Sequence, residues 1–152
     1  TGTPIIILGD LNVYASTPDD PAQHLSTLLT GNVVDEVKFG ADMLPDWDET
    51  FLMEVKPRHN GREKNWYTWR DDNKQFAPGA LDRVIYTDSV MGVQNSFVLN
   101  TTIMSSSELN QSGLLTEDVL RSEKTGDFDH LPVVTDFVFK QHHLIQEEES
   151  TQ

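Results

Sequence analysis

Apolar residues gather in short runs that polar, turn-forming segments separate. Residues 4–8 contain three consecutive isoleucines, which predicts a strand buried on both faces. Residues 81–86, 93–99 and 133–139 carry further apolar or β-branched runs, and each predicts a strand. Residues 66–70 alternate aromatic and polar positions and predict one more strand. The chain is therefore expected to be rich in β-structure.

Helical periodicity is limited to a few segments. Asp20 as N-cap and Pro21 at the first helical position predict a helix start. Leucines at i, i+3 and i+4 spacing follow it, and Gly31 fits its end. Residues 33–39 predict a short helix or strand, and residues 109–120 a short helix at most. Several strands with few helices predict an α+β fold of layered sheets with helical cover.

Length and composition are compatible with one domain that buries a real core. The chain has 152 residues, of which 37% are hydrophobic. Residues 1–140 are expected to form the domain and residues 141–152 a polar, acidic tail. No apolar run reaches the length of about 18 residues that a membrane span needs. Because Thr1 opens almost directly onto a strand, we expect a fragment of a longer protein.

Charge and cysteine content narrow the classes of function. The absence of cysteine excludes disulfides and thiolate metal sites but leaves the compartment open. A net charge of −14 opposes broad, non-specific binding to duplex DNA. Divalent cations or a missing portion of the protein could supply the positive charge that such binding needs. Adaptation to a salty environment is an equally good explanation of the acidic surface.

The basic residues are concentrated in one part of the chain. Six of the eleven fall within 19 positions: Lys56, Arg58, Arg62, Lys64, Arg70 and Lys74. They either line the phosphates of a substrate or belong to an ordinary mixed-charge loop, since acidic residues are interleaved with them.

Candidate chemistry begins where the first predicted strand ends. Residues 9–12 read Gly-Asp-Leu-Asn. Asp10 offers a hard oxygen ligand suited to magnesium, or a base that orients water. Asn12 points to the same side if the backbone stays extended, and its amide can ligate a metal or donate to a phosphate oxygen. The alternative is a strand-ending Asx turn without function.

A second acidic motif directly precedes the last predicted strand. Asp129 and His130 lie there, and the imidazole can protonate or contact a phosphate if its other nitrogen has an orienting partner. Asp82, inside the predicted strand at residues 81–86, is the candidate for that partner. The alternatives are a solvated Asp-His pair and an Asp82 that pairs with Arg83 or faces water.

Together the three pieces resemble the endonuclease/exonuclease/phosphatase superfamily, which has a deoxyribonuclease I-like fold. Residues 9–12 match its Gly-Asp-(Leu/Phe/Met)-Asn motif, and Asp82 matches the strand residue that supports the catalytic histidine. Residues 129–133 match its Asp-His-x-Pro-Val motif, with Phe128 where the family usually has serine. Residues 67–69 are similar to the strand that precedes the supporting aspartate.

The resemblance covers residues 3–140 and only the second half of the family domain. It implies part of a two-sheet β-sandwich flanked by helices. The first half of the family domain normally brings an asparagine and the glutamate that is the main magnesium ligand. A missing N-terminal half of the same domain is therefore an implied partner, and this chain alone is expected to bind the metal poorly and to be inactive.

The resemblance also implies roles for individual residues. The implied catalytic set is Asp10, Asn12, Asp82, Asp129 and His130. Asp10, Asn12 and Asp129 would hold Mg²⁺ or Mn²⁺, while Asp10 and Asn12 also position the attacking water. Asp82 would hold the ring of His130 against the scissile phosphate. Asn12, Arg83 and His130 would bind the substrate.

The expected activity is metal-dependent hydrolysis of a phosphoester, with a nucleic acid or a small phosphate ester as substrate. One alternative is a phosphomonoesterase acting on an inositol phosphate or a nucleotide. Residues 78–84 loosely resemble the Pro-x-x-x-Asp-Arg pattern of inositol polyphosphate 5-phosphatases, but Leu81 replaces their cysteine. A second alternative to the expected activity is a non-catalytic remnant of the family domain that acts as an interaction module. Residues 95–115 look more like bacterial members, which are often exported, and the compartment stays open.

Overall fold

A computed structural model describes residues 2–13, 23–71, 77–119 and 130–140. Its helices are α1 (His24–Thr30), α2 (Glu36–Phe39) and α3 (Ser106–Ser112), with a 3-10 turn at Thr101–Ile103. Its strands are β1 (Ile6–Asp10), β2 (Met53–Glu54), β3 (Arg58–His59), β4 (Asp82–Tyr86), β5 (Met91–Val98) and β6 (Val133–Phe139).

The described strands form two three-stranded sheets. In the first, β4 lies between β1 and β2 and is antiparallel to both. In the second, β5 lies between β3, which is parallel to it, and β6, which is antiparallel. The rings of Tyr86 on β4 and Phe137 on β6 have centroids 5.1 Å apart, so the sheets touch there. The predicted α+β class is confirmed.

Helix α1 covers one face of the first sheet. Leu25 is buried together with Leu52 and Ile85, and the flanking leucines of α1 pack against this cluster. Gly31 ends the helix at φ 76°, a left-handed conformation that glycine adopts without strain, and its N–H donates to Thr27 O at 2.7 Å. The helix and its end were therefore predicted correctly, but its start was not: α1 begins at His24, because Gln23 before it has a left-handed backbone with a φ of 49°. Asp20 and Pro21 themselves lie outside the described residues.

Strand β1 differs from its prediction in position and burial. It begins at Ile6 and continues through Asp10, because the backbone pairing with β4 extends to the Asp10–Asp82 position. Its side chains alternate, with Ile6 and Leu8 exposed and Ile7 packed into the α1 cluster. The prediction of burial on both faces was wrong, since within the described residues only the Ile7 face is closely covered.

The predicted strand at residues 66–70 is not a regular strand. Trp69 forms single antiparallel bridges to Gly79 on one side and to His130 on the other. Gly79 and His130 both lie outside the strands of the two sheets, and within the described residues Trp69 is the one bridging residue of the segment. The alternation of aromatic and polar residues reflects this two-sided contact rather than a ladder.

The later strands follow the apolar pattern closely, whereas the last described helix does not. Strand β6 has the predicted bounds, and β5 begins two residues earlier than predicted, with a bulge between Val93 and Asn95. Helix α3 begins upstream of its predicted segment because Ser105 and Glu108 form a capping box, and Gly113 ends it. The predicted loop at residues 121–127 and the tail at residues 141–152 lie outside the described residues.

No helix among the described residues is long and apolar enough to cross a lipid bilayer.

Contacts of Glu108 at the N-terminus of α3 make the free energy of unfolding decrease at acid pH. The ion pair with Arg62, then hydrogen bonds from Ser105, lower the pKa of Glu108 from 4.5 to about 2. A lowered carboxyl pKa means that this stabilisation is complete above pH 4.5 and is lost as pH falls towards 2. We expect an NMR titration to place the Glu108 midpoint near 2, and Arg62→Gln to move it towards 4.5. A wild-type midpoint at 4.5 would contradict the observed contacts.

Candidate active site

Two carboxylates face each other across the first sheet. Asp10 on β1 is the register partner of Asp82 on β4. Leu11 N donates to Leu81 O at 3.0 Å at the next position. Antiparallel pairs alternate, so the Asp10–Asp82 position is the non-hydrogen-bonded kind, in which side chains on the same face lie closest. Like charges placed directly opposite destabilise a sheet, which favours a functional reason for this pair.

His130 lies between these two acids. Its Nδ1 is 2.7 Å from Asp82 Oδ2, and its Nε2 is 3.8 Å from Asp10 Oδ2. The His130 side chain is 33% exposed, so the imidazole is held on one side and open to solvent on the other. The structure thus brings together three residues that are widely separated along the chain.

The contact with Asp82 fixes the role of each imidazole nitrogen. An ionised carboxylate only accepts hydrogen bonds, so Nδ1 carries the proton that is donated to Asp82. In the neutral ring, Nε2 then presents its lone pair towards Asp10 and solvent. Two atoms 3.8 Å apart, such as Nε2 and Asp10 Oδ2, can both reach one oxygen atom at about 2.8 Å from each. With Nε2 unprotonated both atoms accept hydrogen bonds, so that oxygen belongs to a water, which can donate to both. A phosphoryl oxygen only accepts, and it can contact Nε2 when that nitrogen carries a proton.

The Gly-Asp-Leu-Asn segment turns sharply where β1 ends. Asn12 N donates to Asp10 Oδ1 at 2.9 Å, and Asn12 Nδ2 donates to Asp10 Oδ2 at 3.1 Å. Asn12 has a φ of 52°, so the backbone does not stay extended here, and the turn rather than an extended strand brings the Asn12 amide to Asp10. The segment is an Asx turn, and the same turn holds the amide of Asn12 against the Asp10 carboxylate. Gly9, with a φ of 144°, supplies a backbone conformation that other residues rarely adopt.

Thr68 connects the backbones on which Asp82 and His130 lie. Its side chain is fully buried, and its Oγ1 accepts hydrogen bonds from Leu81 N and Asp82 N, each at 3.0 Å. Its carbonyl accepts from Leu131 N at 2.7 Å, next to His130. One buried residue therefore sets the position of both members of the pair.

Sequence reasoning did not identify Thr68 as part of the site. A polar residue between Tyr67 and Trp69, in a segment expected to be a strand, was the available signal. A buried hydroxyl must find a hydrogen-bond partner, so such a position indicates a specific contact even when its partner is unknown.

The side chain of Arg83 points away from Asp10 and Asp82. It is buried and paired with Glu54, and its Nη2 donates to Val13 O at 3.0 Å. These contacts tie the segment after Asn12 to the first sheet. Substrate binding by Arg83 stays a prediction, while the pairing of Asp82 with Arg83 is not what the structure shows.

The described residues do not complete a metal site. Asp10 and Asn12 offer oxygen atoms of the kind that Mg²⁺ prefers. Within the described part of the chain, however, no group of three or more His, Cys, Asp or Glu residues could hold a metal ion. Asp129, the third predicted ligand, lies outside the described residues.

Comparison of the chain with protein-family models, with curated proteins and with solved structures finds no match. The superfamily resemblance therefore stays an expectation, carried by residues 9–12, Asp82 and residues 129–133.

Proposed function

We propose that this chain carries part of the active site of a phosphoester hydrolase. The observation that supports it is the position of His130, with Nδ1 at 2.7 Å from Asp82 and Nε2 at 3.8 Å from Asp10. A histidine oriented by one carboxylate, beside a second carboxylate that reaches the same water, can take a proton from a water that attacks phosphorus.

Each residue has a distinct task in this proposal. Asp10 accepts a hydrogen bond from the attacking water and aims it at phosphorus, while the Asn12 amide keeps the Asp10 carboxylate in place. His130 contacts the phosphoryl oxygen or exchanges a proton there through Nε2. Asp82 keeps the imidazole in the tautomer and orientation that this requires.

The proposed cofactor is Mg²⁺ or Mn²⁺. When bound, such a cation would neutralise charge on the phosphoryl oxygens. Asp10 and Asn12 would contribute oxygen ligands, and the remaining ligands would come from Asp129 and from the N-terminal half that the resemblance implies. The same proposal makes the two sheets part of a deoxyribonuclease I-like sandwich, an arrangement with which the Tyr86–Phe137 contact is compatible.

The test uses the natural protein that contains this chain. We expect it to hydrolyse bis(p-nitrophenyl) phosphate in the presence of Mg²⁺ or Mn²⁺, and to hydrolyse the monoester p-nitrophenyl phosphate more slowly. EDTA should abolish the diester activity, and excess Mg²⁺ should restore it. Faster hydrolysis of the monoester would assign the site to a phosphomonoesterase. Hydrolysis of neither probe would contradict the proposal and favour the non-catalytic alternative.

A further inference from the structure

A pocket of about 380 Å³ opens beside the proposed site, a volume in the range of small-molecule sites. We call it the basic pocket. Its lining includes Lys56, Arg58, Lys64, Trp66, Thr68 and Asp82. Since Asp82 also holds His130, the basic pocket adjoins the place where the scissile phosphate would lie.

The local backbone directs two cations into this pocket. Val55, Pro57 and His59 are buried, whereas Lys56 and Arg58 between them are exposed. This alternation is that of an extended segment, in which residues i and i+2 share a face. Burial of the odd-numbered side chains therefore places Lys56 and Arg58 on the same open side.

The charges of the basic pocket are unbalanced in favour of an anion. Its two lining carboxylates are engaged, because Glu54 is paired with Arg83 and Asp82 contacts His130. Lys56, Arg58 and Lys64 make no ion pair with any residue that the structure describes. On a chain with a net charge of −14, three such cations around one concavity point to a negatively charged ligand.

The other basic residues of the same stretch lie elsewhere. Arg62 is paired with Glu108 at the start of α3. Arg70 donates to the hydroxyl of Tyr67 at 3.0 Å and lies over its ring. Lys74 is outside the described residues. The structure thus separates the sequence cluster into pocket cations and residues that have their own partners.

Trp66 adds an aromatic surface to the cations. Trp66 is 53% exposed and lines the basic pocket. An exposed indole can stack on a nucleic-acid base, and neighbouring lysine and arginine can bind the phosphate next to that base. Cations beside one aromatic ring therefore match a phosphate that carries a nucleoside.

We propose that the basic pocket binds the base and the non-reacting phosphate of a nucleotide unit that adjoins the scissile bond. This inference rests on the proposed function and specifies its substrate as a single-stranded oligonucleotide. The cations hold the phosphate and the Trp66 indole stacks on the base, while the next phosphate along the strand lies at His130.

Binding without turnover tests the inference. The probe is a 5′-phosphorylated thymidine dinucleotide, titrated by calorimetry in EDTA into the natural protein containing this chain. We expect Arg58→Gln and Lys64→Gln each to raise Kd about tenfold and to lower the salt dependence of log Kd by about one unit. Trp66→Leu should raise Kd tenfold or more through lost stacking. Lys140→Gln, which removes an exposed cation outside the pocket, is the matched control and should leave Kd unchanged.

The outcomes separate this inference from the proposed function. Tripolyphosphate binding as tightly as the dinucleotide, together with no effect of Trp66→Leu, would overturn the nucleotide assignment. Unchanged Kd in all three pocket variants would overturn the pocket itself, even if the protein hydrolyses the diester probe. Conversely, pocket-dependent binding in a protein that hydrolyses neither probe would support the pocket and contradict the hydrolase. If thymidine 5′-monophosphate binds with the same Kd as the dinucleotide, the basic pocket does bind a nucleotide. Its ligand is then a free nucleotide rather than a unit of an oligonucleotide.

Discussion

Replacing His130 by alanine is expected to lower turnover of the diester probe by at least about 10²-fold. The variant removes the Nε2 atom that lies 3.8 Å from Asp10 Oδ2 and so removes the group that serves the phosphoryl oxygen. Folding should be largely preserved, because the side chain is 33% exposed and the backbone of residue 130 keeps its bridge to Trp69. Steady-state kinetics of the natural protein and its variant, with circular dichroism as a check on folding, measure the effect.

A second substitution, at Asp82, separates the role of the His130 imidazole from that of the carboxylate that holds it. Asp82→Asn keeps the shape of the side chain but presents an amide to Nδ1, so the ring is no longer held by a carboxylate. We expect a loss that approaches that of His130→Ala, and a double variant no worse than the poorer single variant, because the two residues act as one unit. Asp136→Asn, on the exposed side of β6, is the charge-matched control. Near-wild-type turnover by His130→Ala would contradict the assignment.

Local apolar pattern determined some elements almost completely. Strand β6 and most of β4 are runs of β-branched and aromatic residues, so their bounds could be predicted from sequence. The end of β1 could not be, because residues 9 and 10 join the strand only through pairing with residues 82 and 83 of β4. For the same reason, nothing local shows that Trp69 forms single bridges to Gly79 and to His130.

The candidate site likewise contains residues that local motifs identified and residues whose contacts the sequence did not show. Asp10, Asp82 and His130 were identified because their motifs are short, local and matched by a resemblance. The resemblance implied that Arg83 binds substrate, and its pairing with Glu54, 29 positions earlier in the chain, was not foreseen. Thr68 was missed because its role depends on backbone N–H groups 13 and 14 positions away. Contacts at such separations are set by tertiary packing, which a single sequence does not display.

Behind the candidate site lies a buried polar network. His59 and Asn100 are fully buried, and the side-chain amide of Asn100 is 3.4 Å from Nδ1 of His59. The other ring nitrogen, Nε2, is 2.8 Å from the carbonyl of Tyr67, the residue before Thr68. Buried polar groups that satisfy one another rigidify the surrounding backbone. The network therefore holds the segment that carries Thr68, and Thr68 in turn holds the backbone of Asp82.

Thr68→Val is consequently expected to have the largest effect on stability. Valine has nearly the shape of threonine but cannot accept a hydrogen bond, so the amide groups of Leu81 and Asp82 lose their common acceptor inside the protein. Each unsatisfied donor costs about 1–3 kcal/mol, so the two together predict a loss of about 2–6 kcal/mol in the free energy of unfolding. Urea denaturation of the natural protein and the variant, followed by circular dichroism, measures the difference.

Thr68→Ser is the matched control, because it keeps the hydroxyl oxygen and removes only a methyl group. We expect it to retain most of the stability and the wild-type turnover, whereas Thr68→Val that still folds should lose turnover about tenfold or more through displacement of Asp82. If Thr68→Val unfolds at the wild-type urea concentration, the two hydrogen bonds to Oγ1 do not support the site. If Thr68→Ser is as impaired as Thr68→Val, packing of the methyl group rather than hydrogen bonding holds Asp82 against His130.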